Sequence, residues 1–209
     1  MSEALLLHAQ GLNKQFGAVV AAQDVSVRVK TGERVSLIGS NGAGKTTFVN
    51  MITGYVRADS GSIALGDTDI SRMTPRQITR MGVARSFQIP QLYPSMTVLE
   101  NMLVALACHE NRLSTWLPAA TSARVLRADE VLSRFNLLKQ RDRLVSELPG
   151  GLRKLIDIAL AMTGAPRLLL LDEPTSGVAA EEKFPMMDTI MLALEGQALT
   201  VLFVEHDMD

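Results

Sequence analysis

Gly39-Ser40-Asn41-Gly42-Ala43-Gly44-Lys45-Thr46 fits G-x-x-x-x-G-K-[ST], a spacing in which glycines let successive backbone N–H groups turn toward one anion. The apolar run at residues 34–38 precedes it, and Thr47 opens an apolar stretch to residue 52, so the loop is expected between a buried strand and a helix. The helix N-terminus then adds partial positive charge. In that setting Lys45 reaches the β- and γ-phosphates of a nucleotide and the Thr46 hydroxyl ligates Mg²⁺. A second reactive pair, Asp172-Glu173, ends the continuous apolar run Leu168-Leu169-Leu170-Leu171. Burying an unpaired carboxylate costs several kcal/mol, and Mg²⁺ offsets that cost. Asp172 is expected to hold the metal through water, and Glu173 to polarise the water that attacks the γ-phosphate. Phe16, before Gly17, either stacks on a nucleobase or fills the core.

The elements that must position these groups are read from periodicity. Val25, Val27 and Val29 alternate with Ser26, Arg28 and Lys30, which predicts an antiparallel layer with one wet face over residues 5–30. A short strand is expected at residues 62–65, and a helix at residues 75–81 capped by Thr74 with Pro75 at its first position. Gly82 ends it, and residues 83–87 form a core strand with Gln88 at its end. From residue 89 to 162 the pattern turns helical. Val98, Leu99, Met102, Leu103, Ala105 and Leu106 make one stripe, and Val125, Leu126, Val131, Leu132 and Phe135 make another. The connection between them carries Trp116 and Pro118. Buried strands are expected again at residues 167–171 and 200–204, with a helix at residues 180–194 between them. The domain reading is one α/β core, residues 1–88 and 163–209, with a helical subdomain, residues 89–162, inserted in it.

Composition narrows the class. The 209 residues, 47% of them apolar, suffice for one large core with a subdomain. Basic and acidic residues number 21 and 22, so no nucleic-acid partner is expected. The single Cys108 allows no internal disulfide and is expected to pack in the core, which suits a reducing cytosol. No apolar run approaches the roughly 18 residues of a membrane helix, and the N-terminus has no basic leader. The chain therefore reads as soluble, and its 11 methionines as core filling.

In the order of its motifs the chain resembles the ATP-binding-cassette (ABC) ATPases over essentially its whole length. Phe16 falls at the family's adenine-stacking aromatic, residues 39–46 at Walker A, and Gln88 at the Q-loop. Leu148-Pro149-Gly150-Gly151-Leu152 falls at the signature, residues 168–173 at Walker B and His206 at the switch histidine. The resemblance implies a P-loop NTPase core with a mainly parallel sheet, an N-terminal antiparallel β layer and an inserted helical subdomain. It implies an Mg²⁺-dependent ATPase in which Lys45, Gln88, Glu173 and His206 are catalytic. Thr46, Gln88 and Asp172 would serve the metal, and Gly39 through Thr47 with Phe16 would bind ATP. Gly150 and Gly151, expected just before a helix at residues 152–162, would supply N–H groups to the ATP of a second subunit. The implied assembly is a head-to-tail dimer, homo- or heteromeric, with two ATPs sandwiched.

Departures from the family pattern fall at Pro149, where Ser is usual and a hydroxyl donor is lost, at Leu152 for the usual Gln, and at Ala179 for the D-loop aspartate. Arg85-Ser86-Phe87-Gln88 followed by Leu92-Tyr93-Pro94-Ser95-Met96-Thr97-Val98-Leu99-Glu100-Asn101 is similar to the ATPases of bacterial branched-chain amino-acid importers. That similarity implies integral-membrane permease partners, an indirect solute-binding protein, and a place on the cytoplasmic face of the inner membrane. Family members of this branch continue past the switch histidine, so the chain reads as truncated at its C-terminus. The alternative is a soluble ABC ATPase of translation or DNA maintenance, which usually carries two cassettes or a coiled-coil insertion. A GTPase is disfavoured because Asn13-Lys14-Gln15-Phe16 precedes the loop and lacks the guanine-reading Asp.

Overall fold

The computed structural model describes residues 4–40, 42–110 and 120–205. Asn41, Trp116, Pro118 and His206 lie outside the described residues. The chain divides into two compact units, residues 1–85, 167–173 and 198–209, and residues 86–166 and 174–197.

The first unit contains β1 (Leu5–Phe16), β2 (Val19–Lys30), β3 (Arg34–Ile38), α1 (Lys45–Ile52), β4 (Ser60–Leu65), β5 (Thr68–Asp69) and α2 (Pro75–Arg80). It continues with β6 (Val83–Ser86), whose last residue belongs to the second unit, then β7 (Leu168–Asp172) and β8 (Thr200–Glu205). One sheet has the order β2-β1-β4-β5 and the other β3-β8-β7-β6. The alternation expected of β2 is present: Val25 and Val27 are half-buried and Val29 buried, while Ser26, Arg28 and Lys30 are exposed. Thr74 and Gln77 close a capping box at the start of α2.

The pairs β3–β8 and β7–β8 are parallel, which requires crossover connections, and β3–β8 brings strands far apart in the chain side by side. All five residues of β7 are buried, as the apolar run predicts. Phe48, Val49 and Ile52 of α1 share one core with Leu168, Leu170, Leu202 and Val204 of the parallel sheet, and with Leu7, Ile63 and Leu65 of the antiparallel one. Each such side chain stabilises the unit by about 1.5–3 kcal/mol. Strand β3 corrects an expectation. Arg34, Ser36 and Ile38, which share one face of the strand, are exposed and Val35 and Leu37 on the other are half-buried. One face of β3 is thus left uncovered by the described residues, and the strand stands at the sheet edge with β8 as its only strand neighbour among them.

The second unit is mainly helical: α3 (Val98–His109), α4 (Ser122–Arg134), α5 (Gly150–Met162) and α6 (Ala180–Ala193), with short 3-10 turns at Leu138–Gln140 and Val145–Glu147. A capping box starts α3. The Thr97 N–H donates to Glu100 Oε2 at 2.7 Å, and the Glu100 N–H donates to Thr97 Oγ1 at 3.2 Å. In α4 the buried face is Arg124, Ala128 and Leu132, continuing to Phe135, so Leu126 is not part of the stripe and is 71% exposed. Arg124 is accommodated inside by its pair with Glu110 at 2.8 Å. Gly150 and Gly151 also correct their expectation, since they form the first turn of α5 rather than preceding it. Cys108 is exposed. It sits one residue past the buried pair Leu106 and Ala107, on the outer side of α3.

The end of α3 rests on the residues after α5. A Cβ at Gly164 would lie 2.5 Å from His109 Cε1 and 2.8 Å from its Nδ1. Partial desolvation of the ring, which keeps an exposed side, and then the Arg127 charge hold that imidazole below its ordinary pKa range. Gly164→Ala is expected to cost about 1 kcal/mol, the low end of overpacking, because the clashing atoms are the ring of an exposed His109 that can turn aside; the loss is read as a lower denaturant midpoint. Adding His109→Ala should recover most of the loss; no recovery would place the strain elsewhere.

Candidate functional site

In the parallel sheet Ile38 is in register with Glu205, and Asp172 with Val204. The glycine loop and the acidic pair therefore leave the same carboxyl edge of the sheet, two strands apart, where open α/β sheets bind ligands. Gly42 and Gly44 have φ of 81° and 86°, a backbone conformation that L side chains resist. Gly44 also has no room to change, since a Cβ there would lie 2.1 Å from the Ala21 carbonyl oxygen of β2. Gly44 is the N-cap of α1 and offers no side-chain acceptor, so the first-turn N–H groups of α1 have no side-chain cap. Lys45 is buried, and its Nζ donates to the carbonyls of Gly39 and Ser40, the latter at 2.9 Å. Thr46 is exposed and Thr47 half-buried.

A cavity of about 520 Å³ opens beside this loop, lined by Gly42 to Lys45, by Val20 and Ala21 of β2 and by Phe48 of α1 among others. Phe16, at the end of β1, is 48% exposed with Lys14 Nζ 5.2 Å from its ring centroid. Exposure rules out the core alternative and leaves a face on which a base can stack.

Asp172 and Glu173 are 3% and 7% exposed. Glu173 has φ +48°, a left-handed conformation uncommon for a residue other than glycine and frequent at functional sites. That turn interrupts the alternation of the strand, and the Glu173 N–H donates to the Val204 carbonyl at 2.9 Å. Asp172 Oδ2 accepts from Arg85 Nη2 at 2.6 Å, and Arg85 Nη1 donates to Asn50 Oδ1 at 2.7 Å. Arg85 thus ties the acidic strand end to the helix that carries Lys45. Neither Arg85 nor Asn50 was among the expected site residues. The signal was an arginine inside an otherwise apolar core strand.

The donor set fits Mg²⁺. It consists of oxygens only, a threonine hydroxyl and a carboxylate at the same sheet edge. Among the described residues no three His, Cys, Asp or Glu side chains gather as a preformed metal cluster.

In the second unit, Gln88 is exposed in the loop after β6. Gly150 and Gly151 begin α5 with Pro149 as N-cap and no side-chain cap, so Pro149 leaves the first-turn N–H groups without the usual hydroxyl. A buried carboxylate that sequence reasoning missed stands two turns further along α5. Asp157 Oδ2 accepts from Ser86 Oγ at 2.9 Å and the Phe87 N–H at 3.0 Å, while Oδ1 accepts from the Gln91 N–H at 3.0 Å. Burial pushes its carboxyl above the ordinary range, against the pull of those three donors and of Lys154. Lys154 is buried, and its Nζ donates to the Ser176 carbonyl at 2.9 Å. The clue lay in polar residues placed on the apolar stripe of α5.

The glycine loop and the acidic strand end of the first unit carry the motif pattern of one known class of nucleotide-binding protein, and the sequence profile of the ABC transporter family matches residues 22–176. The chain belongs to that family and is an ATP-binding, ATP-hydrolysing cassette of a transporter. It is 38% identical to the high-affinity branched-chain amino acid transport ATP-binding protein LivG of Salmonella typhimurium, over 97% of this chain and 82% of the relative. Against the probable LivG of Methanocaldococcus jannaschii it is 34% identical, over 98% of this chain and 81% of the relative. An ATP-binding cassette of an ABC transporter, solved in its ADP conformation, superposes with a TM-score of 0.85 at 35% identity, covering 98% of this chain and 82% of that one. A dimeric cassette in a post-hydrolysis state bound to ADP and Pi superposes with a TM-score of 0.80 at 25% identity, covering 97% of this chain and 88% of that one.

Proposed function

We propose that the chain energises an importer of branched-chain amino acids or related small solutes. The observation that carries the solute class is 38% identity over 97% of the chain to a relative named for that transport. In this reading Phe16 stacks on adenine, residues 39–47 cradle the phosphates, and Lys45 neutralises the β- and γ-phosphates. Thr46, Gln88 and Asp172 hold Mg²⁺, which when bound supplies charge neutralisation on the phosphate oxygens. Glu173 accepts the proton of the attacking water and His206 contacts the γ-phosphate.

Gly150 and Gly151 serve the ATP of a second subunit, in the head-to-tail dimer the family uses. No helix among the described residues is long and apolar enough to cross a membrane. In this reading integral-membrane permease subunits hold the chain at the cytoplasmic face of the inner membrane. The solute-binding protein acts indirectly, through the permease.

The test is ATP turnover by the purified chain with and without vesicles containing the permease encoded beside it. Permease vesicles should raise turnover several-fold, and further when a loaded solute-binding protein is enclosed. Equal turnover with permease and with empty vesicles would favour a soluble ABC ATPase instead.

A further inference from the structure

We propose that Asp157 is a positioning residue that mounts the Gln88 loop on helix α5, so that this loop and the Gly150–Gly151 turn move as one body. Three donors from the end of β6 and the loop after it, the Ser86 hydroxyl and the Phe87 and Gln91 N–H groups, converge on its two carboxylate oxygens. Asp157 is 5% exposed and Ser86 is fully buried, so water does not compete for those bonds and their geometry is held firmly. The far end of the loop is held independently by α3. Asn101, 3% exposed, accepts from the Tyr93 N–H at 2.8 Å and donates to the Tyr93 and Thr97 carbonyls at 3.2 and 2.9 Å. Gln88 therefore stands in a segment fastened on both sides.

Asp157 and Gly150 are seven residues apart on one helix, which puts them on the same face roughly 10 Å apart along its axis. Lys154, one turn from Asp157, fastens the Ser176 segment to the same helix. A displacement of the loop is thus transmitted to the first turn of α5 through a rigid element rather than through solvent. The catalytic consequence rests on the reading of Gln88 as a residue of the ATP site.

Asp157→Asn tests the mounting, because the amide keeps one acceptor oxygen and replaces the other with a donor. Amide hydrogen exchange in the full chain should speed at least tenfold at Phe87 or Gln91, with core amides of β7 unchanged. The kcat for ATP should fall several-fold while KM stays within twofold, since residues 39–46 are untouched. Ser86→Ala, a milder change that removes a single bond to Oδ2, should give an intermediate effect on both readouts. Unchanged exchange at Phe87 and Gln91 in both variants would overturn the mounting whatever the kcat. Faster exchange with unchanged kcat would instead sustain the mounting and overturn the Gln88 reading.

Discussion

Glu173→Gln is expected to bind ATP as tightly as the parent chain and to turn it over at least tenfold more slowly, a barrier increase of about 1.4 kcal/mol or more. The amide has the shape of the carboxylate but cannot accept the proton of an attacking water. The residue is 7% exposed and its N–H bond to Val204 belongs to the backbone, so the left-handed turn at φ +48° is available to either side chain. In the proposed reading the phosphates are held by residues 39–47, which precede and begin α1 rather than ending β7. Equilibrium binding of a fluorescent nucleotide and phosphate release, measured on the same preparation, separate the two effects. Unchanged turnover would remove Glu173 from the role of base, and loss of affinity would assign it to binding.

How much of this site could be read from residues alone follows from how local each signal is. The glycine loop is legible because its function is a backbone conformation, and glycines at 42 and 44 write that conformation directly. Strand β7 is legible because burial on both faces demands an unbroken apolar run. Strand β3 is not. Its residues are as apolar as those of a central strand in part, yet the exposure of Arg34, Ser36 and Ile38 depends on what covers their face of the sheet, which is a property of tertiary packing. Leu126 loses its expected place on the buried stripe of α4, and Arg124 takes one, for a related reason. The stripe of α4 passes through Arg124 because Glu110, beyond the helix, supplies the charge that lets an arginine go inside.

Cys108 shows the converse, an apolar-leaning residue left on the outer side of α3 because the helix has already turned its buried face away. Asp157 was hidden among helix residues read only for their apolar period, since its three partners lie about 70 residues earlier in the chain. Motif spacing locates the chemistry, then, whereas the side chains that hold it in place are found through long-range pairs.

Arg85 makes the sharpest case of such a pair, and Arg85→Met is expected to lower stability by about 3–5 kcal/mol. The guanidinium side chain is 9% exposed and that of Asp172 4%, so the variant leaves the carboxylate at the end of β7 in a dry setting without that cation. Asn50 loses its bond from the same guanidinium. Replacing both members of the pair, Arg85→Met with Asp172→Asn, should recover a large part of the loss, because neither partner then leaves the other as an uncompensated buried charge. Thermal unfolding of the single and double variants measures this directly, and an unrecovered double variant would mean that Arg85 acts through packing on α1. A second reading separates structure from site: Mg²⁺–ADP should raise the melting temperature of Arg85→Met more than that of the parent, since binding brings positive charge to the carboxylate that has lost its own. Equal shifts in the two proteins would detach Asp172 from the metal.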